Sequence, residues 1–138
     1  MNTQSRLTLL KYVMIGTGAI FTFALYPLTQ LWASGWSWGV GHSHYQMMIV
    51  GVYGTLGLCL IYGAKDPMES RSLIWFTVWS SALHSIIMAF QALGDPAETG
   101  HLYGDVPALA LVAIALGVLT PRGARLSAAG GQTSRRAA

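Results

Sequence analysis

The chain has 138 residues, of which 53% are hydrophobic and only 9% charged; charged residues make up about a quarter of an ordinary soluble domain. That composition excludes a water-soluble globular fold. The net charge of +3 comes largely from a tail after Pro121 whose arginines suit anionic lipid headgroups, so no nucleic-acid partner is expected.

A helix needs about 20 mostly apolar residues to cross the hydrocarbon core of a bilayer. Four runs meet or approach that length, at roughly 9–32, 44–64, 72–93 and 105–120. The sequence therefore predicts an all-α integral membrane bundle of four transmembrane helices. It forms one domain over 1–121, followed by a disordered basic tail over 122–138 that has too few apolar residues to fold.

The first run follows Arg6 and Lys11 as a signal peptide would. It is too long for one, and no small-x-small cleavage site follows, so it reads as a retained helix. Pro27 lies inside it and should kink it by removing a backbone donor. Glycines and tryptophans then mark an interfacial loop ending at His42. In the second run, Gly51, Gly54 and Gly57 stand three apart and would let a neighbouring helix approach closely.

Asp66-Pro67 turns the chain, and the third run carries His84 near its middle before Gly94-Asp95-Pro96 stops it. The fourth is short. Pro107 belongs in a first helical turn, which makes Asp105 the expected N-cap. Stopping before Pro121 leaves about 15 residues, or about 23 Å of helix. Either this helix starts earlier and bends at Pro107, or the membrane is thin around it.

All eight Lys and Arg residues flank the runs on one side. The connections at roughly 33–43 and 94–104 have none. Because cytoplasmic loops are enriched in these residues, both termini are expected in the cytoplasm, and His42, His44 and His101 at the outer face. Cys59 is the only cysteine, which argues against a thiol oxidoreductase. No internal repeat and no acid at a helix midplane point to a transporter.

Three groups could carry chemistry. His84 sits at a depth where ionisable side chains are expensive and face the bundle interior; its bland partner would be Ser80 or Ser81. Met88 and Gln91 follow on the same helical face and could line a substrate site. His42 and His44 open the second run with Met47 and Met48 beyond, and imidazole with thioether suits copper or haem iron. In the third group, Glu98 and His101 stand three apart, and His101 and Asp105 four apart, so each pair could meet on a helix. A carboxylate bonded to a ligating histidine would fix its tautomer, and Asp95 and Glu98 are otherwise ordinary turn residues.

The stretches Gly41-His42-Ser43-His44, Ser72-Leu73-Ile74-Trp75-Phe76, Trp79-Ser80-Ser81 and Gly100-His101-Leu102-Tyr103-Gly104-Asp105-Val106-Pro107 resemble a family of small four-helix bacterial membrane proteins without an established function. That likeness implies the fold and a bacterial inner membrane location. His42-Ser43, Met47-Met48 and Gly104-Asp105 also look similar to styrene oxide isomerase, an oligomeric four-helix membrane enzyme that binds haem b through a histidine. Its asparagine after the axial histidine and its third-helix tyrosine have no counterparts here. The resemblance implies haem held by His42 or His44 with Met48 near, and an apolar epoxide isomerised with His84 or Asp105 orienting it.

The expected function is thus a membrane protein with a histidine-rich outer site. It would bind haem b or a metal through His42, His44 and His101, and could act as an isomerase of a small apolar substrate. The rival readings are a non-enzymatic copper-binding protein and an accessory or scaffold subunit of a membrane complex. A bundle this small buries little surface, so a homo-oligomer is expected under any of them.

Overall fold

A computed structural model describes residues 2–31 and 44–121. The loop holding His42, Trp36 and Trp38 and the tail 122–138 lie outside the described residues, and the expectations placed on them go no further. The described residues are all helical in architecture. Four segments are long and apolar enough to cross a membrane: α1 (Thr3–Leu31), α2 (His44–Gly63), α3 (Arg71–Gly94) and a fourth over Pro96–Leu119. The chain is a multi-pass membrane protein.

The first helix begins at Thr3 rather than near Leu9, because Asn2 caps it by accepting from the Ser5 N–H at 2.8 Å. Hydropathy marks only the apolar part of a helix and misses such a polar first turn. Arg6 is then free to reach across the bundle. Its Nε donates to the Leu119 carbonyl at 3.1 Å, and its terminal nitrogen donates to the Val118 carbonyl. A cation thereby satisfies carbonyls that the last turn of a helix leaves orphaned. The start of α1 and the end of the fourth span share one end of the bundle.

Pro27 disturbs α1 as expected, but one turn upstream. Residues Ile20–Ala24 form a π-helical turn, closed by the Leu25 N–H donating to the Ile20 carbonyl. Proline cannot bond the carbonyl four residues back and its ring presses on it; a wider turn takes up that misfit. The fourth span resolves its short length differently. A 3-10 segment, Pro96–Leu102, leads into α4 (Asp105–Leu119), so a tighter helix supplies the missing rise.

The helices close unevenly. α3 packs along α4, and α1 packs along both α2 and α4, whereas α2 and α3 touch only loosely. The α1–α2 crossing is tight at one point. A Cβ on Gly18 would stand 2.6 Å from the Gly57 carbonyl oxygen, and a Cβ on Gly57 would in turn overlap Gly18 and Thr22. Thr22 Oγ1 also donates to the Gly54 carbonyl at 3.3 Å. Of the three glycines read as a packing stripe, only Gly57 is needed there, since a Cβ at Gly51 or Gly54 would meet nothing within 4 Å.

Between the helices, Leu10, Met14, Leu60, Ile74 and Leu116 are wholly buried. Tyr12, Phe23, Phe76, Trp79 and Phe90 project outward, as suits a surface solvated by lipid. Gly57→Val should therefore destabilise the bundle by about 1–3 kcal/mol, the usual cost of overpacking, while Gly51→Ala should be near neutral. Unfolding by denaturing detergent, followed by circular dichroism, checks both.

Candidate functional site

Polar residues at one end of the bundle converge on His101. The 3-10 segment starts where Asp95 caps it, accepting from the Ala97 N–H at 2.9 Å, and its tight winding carries His101 inward to 3% exposure. There His101 Nε2 lies 2.7 Å from Glu98 Oε2, and Nδ1 lies 2.8 Å from Asp105 Oδ2. Glu98 is the outermost member, its side chain 40% exposed. Both pairings anticipated from spacing form.

Proton counting constrains this cluster. An ionised carboxylate only accepts, and a neutral imidazole has one N–H. Each of the two short contacts therefore holds one proton, wherever that proton sits along it.

Asp105 does not cap α4. Gly104 occupies the N-cap and no side chain caps the helix there; the carboxylate turns back to His101 instead. A charge-assisted bond to a buried ring outcompetes a cap to backbone amides. Oδ1 of Asp105 is shielded on all sides and has no hydrogen-bond partner of normal geometry, and the Val106 backbone N–H is the carboxyl's weaker donor. Asp105 as a whole is 5% exposed.

Asp105 lines a cavity of about 320 Å³ enclosed by α1, α2 and α4, with His84 of α3 on its wall. Its surface is almost entirely apolar, from residues such as Phe21, Leu25, Val50 and Leu109; the polar members are Thr29, Gln46, Tyr53, His84 and Asp105. The π-helical turn contributes Ile20 and Phe21 to the wall. Ile20 and Leu111 are 51% and 67% exposed. The lining thus includes residues that also lie on the apolar surface of the bundle.

His84 does not pair with Ser80 or Ser81. Its Nδ1 lies 3.1 Å from the Tyr53 hydroxyl, and Ser80 donates to the Thr77 carbonyl instead. Tyr53 donating its O–H to Nδ1 pairs the two groups uncharged, with the ring N–H then on Nε2. Phe21 packs edge-on against Tyr53 at 4.9 Å between ring centroids. This bond crosses the loose α2–α3 seam, where Met48, Val52, Phe76 and Ser80 border a shallow groove. Tyr53 and His84 belong to both walls, so the pair separates the groove from the cavity. Ser85 ties α3 to α4 by donating to the Val106 carbonyl at 2.9 Å.

The remaining candidates lie apart from this site. His44 is exposed at the start of α2, and Met48 is 66% exposed on the groove. Met88 is half-buried and Gln91 exposed, and neither lines the cavity. His101 has no ring nitrogen left for a metal, since each faces a carboxylate. Among the described residues, no group of three or more His, Cys, Asp and Glu is arranged to hold a metal ion. Spacing gave no hint of Tyr53 or Gln46; a tyrosine and a glutamine inside an apolar run were the available signal.

Removing the buried ring would leave Asp105 without its partner. His101→Ala should cost about 3–5 kcal/mol, the range for breaking a buried ion pair. Tyr53→Phe should cost only about 0.6 kcal/mol, typical of one interhelical hydrogen bond within a membrane. Thermal and denaturing-detergent unfolding of the purified variants would rank them in that order.

No curated protein and no solved structure matches the chain, so its likeness to styrene oxide isomerase gains no support from comparison. A family profile does match, over residues 3–138. The chain belongs to this family, DUF6632, a family of unknown function.

Proposed function

We propose that the protein takes up a small, mostly apolar molecule from the bilayer and exchanges a proton with its polar end. The observation that carries this reading is an apolar cavity of ligand size with the Asp105 carboxyl residue and the His84 ring among its lining residues. Ligand sites are mostly apolar pockets of about 300–1,000 Å³ with a few fixed polar groups, and this cavity lies near the lower bound. The exposure of its lining residues Ile20 and Leu111 on the apolar surface favours entry from hydrocarbon.

In this reading Asp105 and His84 are the acid–base pair. A proton taken from the ligand by one and returned by the other at a second atom would isomerise it without an oxidant or reductant. Protonation of an epoxide oxygen followed by loss of a neighbouring proton is one balanced case. We also place both termini in the cytoplasm, on the bias of Lys and Arg, which puts Glu98 at the outer face.

The exposed turn from His44 to Met48 favours a second, separate reading, haem or copper binding at the outer end together with His42. The absorption spectrum and metal content of the purified protein distinguish it from the first.

Ala108 lies on the cavity wall one helical turn after Asp105, so Ala108→Trp should fill the space. A diazirine-bearing alkane, irradiated with the protein in lipid nanodiscs, should label cavity residues such as Val50 and Leu109, and lose that labelling in Ala108→Trp. Labelling confined to outward-facing residues and unchanged by the substitution would overturn the proposal.

A further inference from the structure

Resting on that cavity reading, we infer that the Tyr53–His84 pair is a latch in the α2–α3 seam, a second lateral door through which the cavity exchanges its ligand with the bilayer. The lining already reaches the apolar surface at Ile20 of α1 and Leu111 of α4. Close packing of α1 with α2, α3 with α4 and α1 with α4 leaves the α2–α3 seam on the other side of the ring. The groove there has a volume of about 380 Å³, against about 320 Å³ for the cavity. A ligand that fits the cavity therefore has room to stand in the groove first.

What divides the two spaces is a few side chains. Ile49, Tyr53 and His84 line both of them. The Tyr53 hydroxyl stands 3.1 Å from His84 Nδ1, and the two rings meet edge-on at 5.8 Å between centroids. The other seams are held at the backbone. Gly18 and Gly57 leave no space for a Cβ between α1 and α2. Ser85 of α3 and Arg6 of α1 each bond carbonyls of α4. Parting those seams separates whole helices or strands buried carbonyls, whereas parting α2 from α3 begins with the rotation of two side chains.

The polarity of the pair matters. Two apolar side chains would close the seam equally well and would need no partner in hydrocarbon. A tyrosine–histidine bond is instead exchangeable. A carbonyl on the ligand accepts from the Tyr53 hydroxyl, or a ligand hydroxyl donates to His84 Nδ1, so a buried polar group gains a new partner as it loses the old one. A single interhelical hydrogen bond in a membrane is weak, so thermal motion opens the latch and it closes again. The route also carries the ligand's polar end past His84, one of the two proposed acid–base residues.

The test is fluorine NMR exchange spectroscopy on the full chain in nanodiscs, with a trifluoromethyl-terminated octanol as probe. The cavity-bound resonance is the one that Ala108→Trp removes. Leu111→Trp narrows the approach between α1 and α4, and the other substitutions are compared in that background; if it folds poorly, Ile20→Trp replaces it. Val52 is 68% exposed and borders the groove, so Val52→Trp obstructs the groove from outside the core. It should slow exchange between lipid and cavity about tenfold, within the usual cost of overpacking, and leave the bound fraction unchanged. Tyr53→Phe should speed exchange about threefold, the factor equivalent to one interhelical hydrogen bond.

Exchange that stops in Leu111→Trp alone would overturn the latch and leave the cavity reading standing. Exchange that is indifferent to Val52→Trp, or slowed by Tyr53→Phe, would do the same, since the pair would then only hold the bundle together. Absence of any resonance sensitive to Ala108→Trp, together with loss of diazirine labelling in the cavity, would remove the cavity reading and the latch with it.

Discussion

Within a bilayer, water is not at hand to satisfy a polar group, so each one must find its partner inside the protein. In this chain the constraint is concentrated on one imidazole ring. His101 bonds a carboxyl on each side, and the two partners come from successive pieces of chain, Glu98 from the 3-10 segment and Asp105 from the first turn of α4. The ring thereby fixes how the last span begins. If Asp105 capped α4 in the ordinary way, His101 would be buried with one nitrogen unanswered. Drawing the carboxylate back to the ring leaves the other oxygen buried without a partner of normal geometry.

The same economy explains the rest of the interior. Arg6 answers the carbonyls at the far end of α4, Ser85 the carbonyl of Val106, and Tyr53 the ring of His84. Each of these bonds joins two different helices. Where helices meet through small residues alone, as at Gly18 and Gly57, contact is set by backbone approach. The seam between α2 and α3 has little of either, and there the Tyr53–His84 bond does the joining. The pair lines both the cavity and the groove beside it.

The network around His101 is less complete than the one at Arg6. Oδ1 of Asp105 is buried without a hydrogen-bond partner of normal geometry, and a buried acceptor left unpaired costs free energy. Asp105 stands at the same time in the lining of the apolar cavity, where the proposed ligand would sit.

The sequence by itself determined the class of the protein. Four long apolar runs, few charges and Lys and Arg confined to one side leave little choice but a four-span bundle. The i,i+3 and i,i+4 spacing of Glu98, His101 and Asp105 made their pairing legible, because any helical winding brings such residues together. Pro27 likewise announced a distortion of α1, since its missing N–H is a property of the residue. What spacing along one helix does not contain is which residues of different helices meet. The partner of His84 came from α2 rather than from its own helix, only one of three glycines marked the close crossing, and the cavity arose from an uneven closure of four helices. Those outcomes depend on side-chain volume and helix rotation summed over the whole bundle, and only the tertiary structure decides them.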